Sequence, residues 1–475
     1  MKVCLIDTET RFGDPPFSLA CLAAYLREKV PSIEIKIIEK KSEEIILREL
    51  KEFAPDVVGL TSVSEIYFLV KDLAKKIKKL LPKSILVIGG VHITVSPKSF
   101  SDSPFDFAVI GEGEVTFVEL IDSIANKLKK LNEIKGLLFR RNKKVVFTGN
   151  REFADLSKFP LPAFDLLDMD YYLAPKMSKT GLEKKLGMIT SRGCPYNCSF
   201  CCSANIWKRK VRFHTAEYVV ELVKKYVNEF KVSIVNIYDD LFSLDTERLK
   251  DIIKLMKKEG LLGKITFEIQ ERTTNLTEER AKLLKELGVT ALAFGIESAS
   301  PKILKLLKGG NISVEAHKKG ISIAQKYGFE ICCNFIIGSP HETKQDLQMT
   351  YDFIKEMNLD DVIFFPATPF PGTGMWDYAV KNKIINKSFY EKKHPFFKWG
   401  YELPLDTLNM KLILSKDINK EDFLFMARKM RELIGKGKKK LPYKYLFRFK
   451  TLRYLFNLQT IKKAWRYRRV ILKRI

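Results

Sequence analysis

The sequence predicts an α/β protein built from a doubly wound parallel sheet, a (β/α)6 partial TIM barrel, and a mostly helical, basic C-terminal region. Three observations predict it. Runs rich in Val, Ile and Leu alternate with amphipathic stretches over residues 1–150, as a sheet with helices on both faces requires. Six more strand–helix units follow over 186–385 at a spacing of roughly 30 residues. Residues 386–475 lack a sheet pattern and turn basic and aromatic from Lys436 onward. The boundaries are read as 1–150, a linker over 151–185, 186–385 and 386–475.

In the first unit, strands are expected at Lys2–Asp7, Glu34–Glu39, Asp56–Thr61, Ile85–Gly90 and Phe107–Gly111. Ser18–Lys29 and Ser64–Leu81 carry apolar residues at three- and four-residue intervals and read as helices. Such sheets bind ligands beyond the carboxyl ends of their strands. Thr61 and Ser62, the loop Gly89-Gly90-Val91-His92-Ile93-Thr94, and Gly111-Glu112-Gly113-Glu114 all fall there. Glycine lets backbone approach a ligand closely, and amides at helix starts favour phosphate. Glycine also serves tight strand–helix turns for shape alone.

Residues 151–185 contain Pro160-Leu-Pro162 and few periodic patterns. Barrel strands are expected at Leu186–Thr190, Val232–Asp239, Ile265–Gln270, Ala291–Glu297, Ile331–Gly338 and Asp361–Pro366. Polar residues collect at their ends: Tyr238-Asp239-Asp240, Glu268 with Gln270 and Arg272, Gly295-Ile-Glu297-Ser298, and Gly338-Ser-Pro340. Acids inside a barrel are costly unless paired or touching ligand. Glu297 and Glu268 therefore invite a functional reading, against barrel ion pairs with Arg272 or Arg212. Cys332 and Cys333, within the fifth strand, read as buried thiols.

Between the first two barrel strands runs Thr190-Ser-Arg-Gly-Cys194-Pro-Tyr-Asn-Cys198-Ser-Phe-Cys201-Cys202. A four-iron cluster ordinarily takes four cysteines. Three from one loop, Cys194, Cys198 and Cys201, leave one iron open to hold a substrate. A zinc knuckle is the alternative, but it wants a fourth ligand at similar spacing. The next histidine, His214, is thirteen residues past Cys201, and Cys202 directly adjoins a ligand already used.

This spacing resembles the signature of the radical S-adenosylmethionine (SAM) enzymes, and the likeness runs through the barrel. It implies a [4Fe-4S] cluster on Cys194, Cys198 and Cys201, with SAM on its open iron. It further implies SAM contacts at Phe200, Tyr238, Glu297, Ser298 and Gly338. Pro15-Pro16-Phe17-Ser18-Leu19-Ala20, Pro55–Thr61 and the two glycine loops resemble the flavodoxin-like cobalamin-binding domain that precedes many such cores. The implied corrinoid contacts are Thr61, Ser62, Gly89, Gly90, His92, Thr94, Gly111, Glu112, Gly113 and Glu114. The Asp-x-His-x-x-Gly pattern that supplies an axial histidine elsewhere is missing, so His92 is expected to line the pocket. A degenerate module without cofactor is the alternative.

Eight cysteines, clustered, argue against a disulfide framework and for a reducing compartment. The first residues read as a strand instead of a signal peptide, and no apolar run is long enough to span a bilayer. The cytoplasm is the expected location, with peripheral contact on the membrane's inner face. Residues 436–475 hold fifteen Lys or Arg and no acid, leaving +11 of the net +26 to the other 435 residues. Basic residues interleaved with aromatics, Leu and Ile suit an anionic membrane surface. A solvated or packed helix is the plain alternative, and nucleic acid is the least favoured partner.

The resemblance implies a cobalamin-dependent radical SAM enzyme methylating an unactivated carbon of a small-molecule or lipid-like substrate. It also implies an external electron donor of flavodoxin or ferredoxin type. The alternatives are cyclisation or oxidation without methyl transfer, tRNA methylthiolation, and a non-catalytic corrinoid or iron–sulfur carrier. Methylthiolation would want three N-terminal cysteines, and only Cys4 and Cys21 precede residue 190.

Overall fold

The computed structural model describes residues 1–8, 13–39, 42–126, 130–178, 181–310, 312–392 and 413–435. The basic segment 436–475, and with it the membrane-contact expectation, lies outside the described residues, as does 393–412.

Strands β1 (Lys2–Ile6), β2 (Glu34–Ile38), β3 (Val57–Thr61), β4 (Ile85–Gly89) and β5 (Phe107–Val109) pair in parallel in the order β2-β1-β3-β4-β5. Alternating side chains serve two cores, because successive residues of a strand face opposite sides. Val3, Leu5, Val57 and Val87 pack with Leu19, Ala20, Phe117 and Leu120 on one face. Cys4, Ile6, Val58 and Leu86 pack with Ile46, Leu50, Leu73 and Ile77 on the other. The reversal of strand order between β1 and β3 opens a crevice at their carboxyl ends.

The expected all-parallel sheet is extended by an antiparallel hairpin, β6 (Leu137–Arg141) and β7 (Lys144–Phe147). Its two-residue turn puts Asn142 and Lys143 at φ of 50° and 63°, the left-handed pair that matches strand twist. Charged residues around this turn hide the alternation that would have marked the strands.

The second sheet has six parallel strands in sequential order: Lys185–Met188, Ile234–Ile237, Thr266–Glu271, Val289–Glu297, Glu330–Ile337 and Asp361–Pro366. Its helix-covered face buries Leu186, Val235, Phe267, Leu292, Phe335 and Phe364. The segment read as a linker is packed: Phe164 is buried against Phe17, Tyr226 and Phe230, and the Ala163 amide donates to the Ala20 carbonyl. It joins the core of the first sheet to that of the second. Among the described residues, no helix is long and apolar enough to cross a membrane.

The carboxyl ends of the two sheets face one another. Asp14, just past β1, accepts the Gly187 amide at 3.0 Å and the Tyr238 hydroxyl at 2.6 Å. Ser99 donates to Glu391 at 2.9 Å, and Gly372 abuts Val95.

Candidate active site

The cysteine loop begins at a short ribbon in which Ser191–Arg192 pairs antiparallel with Arg212–Phe213. Gly193 follows at φ 101°, where any Cβ would overlap the Lys210 carbonyl. The Cys201 amide donates to the Cys198 carbonyl at 3.1 Å, curling the loop. The loop docks through Ser199, whose amide meets the Leu307 carbonyl at 2.8 Å and whose carbonyl accepts from Met375 at 3.0 Å. Phe200 packs on the apolar cluster of Ile303, Leu307, Ile336 and Met375. Tyr196 donates to Asn275 at 3.0 Å, and the Arg272 guanidinium lies 3.8 Å over its ring.

Burial pushes the Cys194 thiol up to about 11 and the Cys201 thiol up to about 12, with the Asp240 charge adding to both. Metal coordination reverses this outright, since a ligating thiol is deprotonated. Three soft donors in one loop fit an iron–sulfur cluster better than a hard cation. Among the described residues no three ligating side chains converge as a single ion requires. A cluster spreads its cysteines over separate irons and does not need that convergence.

The other sequence-predicted barrel residues occupy different settings. Glu297 is buried at φ 71°, a left-handed conformation unusual for a glutamate, and faces Lys308 Nζ at 3.5 Å. Burial raises its pKa and Lys308 opposes the rise. Lys308 also donates to the Gly295 carbonyl, so the helix Pro301–Lys308 holds both the cysteine loop and Glu297. Glu268 pairs with Lys185 at 2.7 Å, so among the described residues the direct ion-pair partners of the two acids are lysines, with the Arg272 charge acting on Glu297 from further off. Ser298 is buried and accepts the Ser300 amide at 3.1 Å. Tyr238 turns its hydroxyl to Asp14, toward the first sheet.

Gly338, at φ 82°, packs beneath Phe423 and donates to Glu342 at 2.6 Å. Burial pushes Glu342 from 4.5 up to about 8. The protonated form is therefore favoured on folding, so this group costs stability as pH rises from its unfolded value through 8. Melting temperatures across that window are expected to fall as pH rises, and Glu342→Gln to remove this group's share of the fall.

At the carboxyl ends of the first sheet, the glycine loops form an open cradle. A Cβ on Gly89 or Gly111 would meet nothing within 4 Å. Gly90, at φ 95°, is pressed onto Thr61 and Ser62. Thr94 stitches the two loops, accepting the Gly111 amide at 3.0 Å and donating to the Gly90 carbonyl at 2.9 Å. Ser62 is buried and accepts the His92 amide at 2.9 Å. The cradle and its free space fit the approach of a flat macrocycle's appendages.

His92 lies in the cradle's wall. Its ring is buried, stacked on Tyr67 at 4.0 Å, with Ser64 at 3.0 Å from Nδ1 and Ser99 at 3.2 Å from Nε2. Burial lowers its pKa to about 3, so the ring is neutral. Both nitrogens are engaged by protein. Glu112 and Glu114 are likewise committed, to Arg192 and Arg212. Sequence reasoning missed both arginines as site residues, although Arg192 stands two positions before Cys194.

On the inner face of the half-barrel, strand alternation gives a graded lining. Val362 and Phe364 pack outward into the core, which turns Ile363 and Phe365 inward at 43% and 47% exposure. The middle strand contributes Ala291, Ala293 and Gly295, while Asn236, Glu268 and Gln270 line the earlier strands. Asp240, held by Ser203 at 3.0 Å, stands near the cysteines.

A cysteine-rich loop at the open end of a half-barrel, facing a glycine cradle on a doubly wound sheet, defines a radical SAM enzyme with a corrinoid-type domain. Comparison with known proteins bears this out. The model of the Radical SAM superfamily matches residues 188–354, and that of the B12 binding domain matches residues 8–121. An uncharacterized methyltransferase, PH0819, from Pyrococcus horikoshii is 35% identical over 78% of this chain and 80% of its own. The hopanoid C-3 methylase of Methylococcus capsulatus is 26% identical over 76% and 68%. Among solved structures, the radical SAM methyltransferase TsrM from Kitasatospora setae shares the fold with a TM-score of 0.67. It is 17% identical, over 81% of this chain and 75% of TsrM. The chain belongs to the cobalamin-dependent radical SAM methyltransferase family, whose cofactors are a [4Fe-4S] cluster, SAM and cobalamin.

Proposed function

We propose that this enzyme methylates an unactivated carbon of an apolar or membrane-associated substrate. The carrying observation is the half-barrel lining, where Ile363 and Phe365 offer an exposed apolar wall on the last strand, with Cys332 and Asn334 on the strand beside it and the small Ala291 and Ala293 one strand further in. Apolar surface left open in a cleft is the ordinary mark of a binding wall for an apolar ligand. The similarity to a hopanoid methylase supports the same reading.

When bound, the cluster, SAM and corrinoid supply the radical and methyl-donor chemistry. The protein's own part is to hold and shield. Cys194, Cys198 and Cys201 would hold the cluster, with Phe200 covering its apolar side. Glu297 ends the fourth barrel strand, Ser298 follows it and Gly338 follows the fifth, and the three would line the SAM site. The glycine cradle would take the corrinoid, and an external flavodoxin- or ferredoxin-type protein would supply electrons.

The test is anaerobic incubation with SAM carrying a deuterated methyl group, reductant, cobalamin, and either a lipid or a polar metabolite extract. Label is expected in the lipid fraction. Label confined to polar products, or deoxyadenosine formed with no methylated product, would overturn the reading. Phe365→Ala should cut labelled lipid about tenfold at limiting extract, the value of one lost apolar contact of about 1.4 kcal/mol, with the cluster retained.

The basic segment 436–475 supports the membrane part of the proposal by its composition. Removing it should abolish sedimentation with anionic vesicles and leave SAM cleavage intact. Unchanged vesicle binding would contradict membrane contact through this segment.

A further inference from the structure

We propose that Arg192 and Arg212, clamped onto Glu112 and Glu114, are positioning residues that fix the spacing and orientation of the cluster loop against the corrinoid loop. The proposal rests on the family's cofactor assignment and goes beyond it.

The geometry is specific. Arg192 donates through Nη1 to Glu112 Oε1 at 2.7 Å and through Nη2 to Glu114 Oε1 at 2.6 Å. Arg212 grips Glu112 with both terminal nitrogens, at 2.9 Å to Oε2 and 2.7 Å to Oε1, and also donates to the Ala154 carbonyl at 2.8 Å. Side-chain exposures are 15% and 18% for the arginines and 7% and 9% for the acids. Aromatic rings support both guanidinium groups: Phe159 at 5.4 Å from Arg192, and Phe153 at 4.5 Å from Arg212.

The two arginines are register partners on the ribbon that launches the cysteine loop. Glu112 sits between Gly111 and Gly113, the glycines of the cradle. One side-chain contact therefore links the backbone two residues before Cys194 to the backbone that meets the corrinoid. Gly193, between Arg192 and Cys194, sits at φ 101° against the Lys210 carbonyl, so the chain turns tightly from the ribbon into the cysteine loop.

Adhesion alone does not call for such a device. Buried ion pairs roughly break even against apolar contacts of the same size, whereas forked guanidinium–carboxylate pairs hold distance and angle. The two sheets are also joined elsewhere, through Asp14 with Tyr238 and Ser99 with Glu391. Loosening the clamp should therefore leave the protein folded and loaded while blurring the spacing between its two metal centres.

The experiment uses the full chain carrying cluster and cobalamin, reduced so that both centres are paramagnetic, and reads their magnetic interaction by electron paramagnetic resonance. Wild type is expected to give one defined coupling. Arg212→Gln, and the gentler Arg192→Lys that keeps the charge and loses the fork, should keep iron and cobalamin content but lose the single coupling to a broad distribution. A purely stabilising role would lower the melting temperature without moving the coupling. An unchanged coupling in both variants would overturn the proposal. Should Arg212→Gln fail to load, Arg192→Lys decides alone. Absence of one cofactor from wild type would instead contradict the cofactor assignment.

Discussion

Cys198→Ala is expected to abolish the four-iron absorbance and with it all SAM cleavage. Cys198 is the middle cysteine of the three proposed ligands, and its carbonyl closes the loop onto the Cys201 amide. Alanine leaves that backbone bond in place but removes a thiolate for which the described loop offers only Cys202 as a substitute. Cys202 immediately follows Cys201, and its carbonyl accepts the Asn205 and Ile206 amides at 3.0 Å, so its backbone is held at the start of the short helix Ser203–Trp207. Because the folded core lies outside the loop, the variant should remain folded. Iron analysis and absorbance after anaerobic reconstitution check this, and a retained four-iron spectrum would reassign the ligands.

Gly90→Ala is expected to eliminate cobalamin binding while sparing the cluster. At φ 95° and ψ −174° Gly90 occupies a region essentially reserved for glycine, where an L side chain costs about 1–3 kcal/mol on backbone grounds alone. The added Cβ would also stand 2.5 Å from Thr61 Oγ1 and 2.8 Å from the Ser62 amide nitrogen. Neither neighbour can retreat cheaply. Ser62 is buried and accepts the His92 amide, and His92 is locked between Ser64 and Ser99. Relief must come from moving the cradle, and a loss of about 3 kcal/mol weakens binding more than a hundredfold. Titration with cobalamin beside an iron assay separates this from global unfolding.

The elements most legible in the sequence were those whose signal is local. Strand–helix alternation showed because Cys4 and Leu5, or Val57 and Val58, serve opposite cores and make each strand apolar throughout. The cysteine spacing showed because all three donors share one loop. Partnerships across the chain did not show. The Tyr238 hydroxyl meets an acid 224 residues away, and Arg212 meets Glu112 at a separation of 100. Glu112 and Glu114 stood out beside their glycines, but nothing local revealed that arginines would take their charges. Glu297 is a buried acid whose ion-pair partner is Lys308, with the Arg272 charge acting on it from further off. His92 had no axial-ligand motif around it, and only the folded chain brings Ser64 and Ser99 to its two nitrogens.

The most direct test of the account is to incubate the reconstituted protein anaerobically with SAM and reductant, with and without cobalamin and the lipid extract. Deoxyadenosine and S-adenosylhomocysteine are then quantified separately. Both products are expected, in comparable amounts, with S-adenosylhomocysteine formation depending on cobalamin. Deoxyadenosine unaccompanied by S-adenosylhomocysteine, whatever cobalamin is supplied, would contradict methyl transfer as the function.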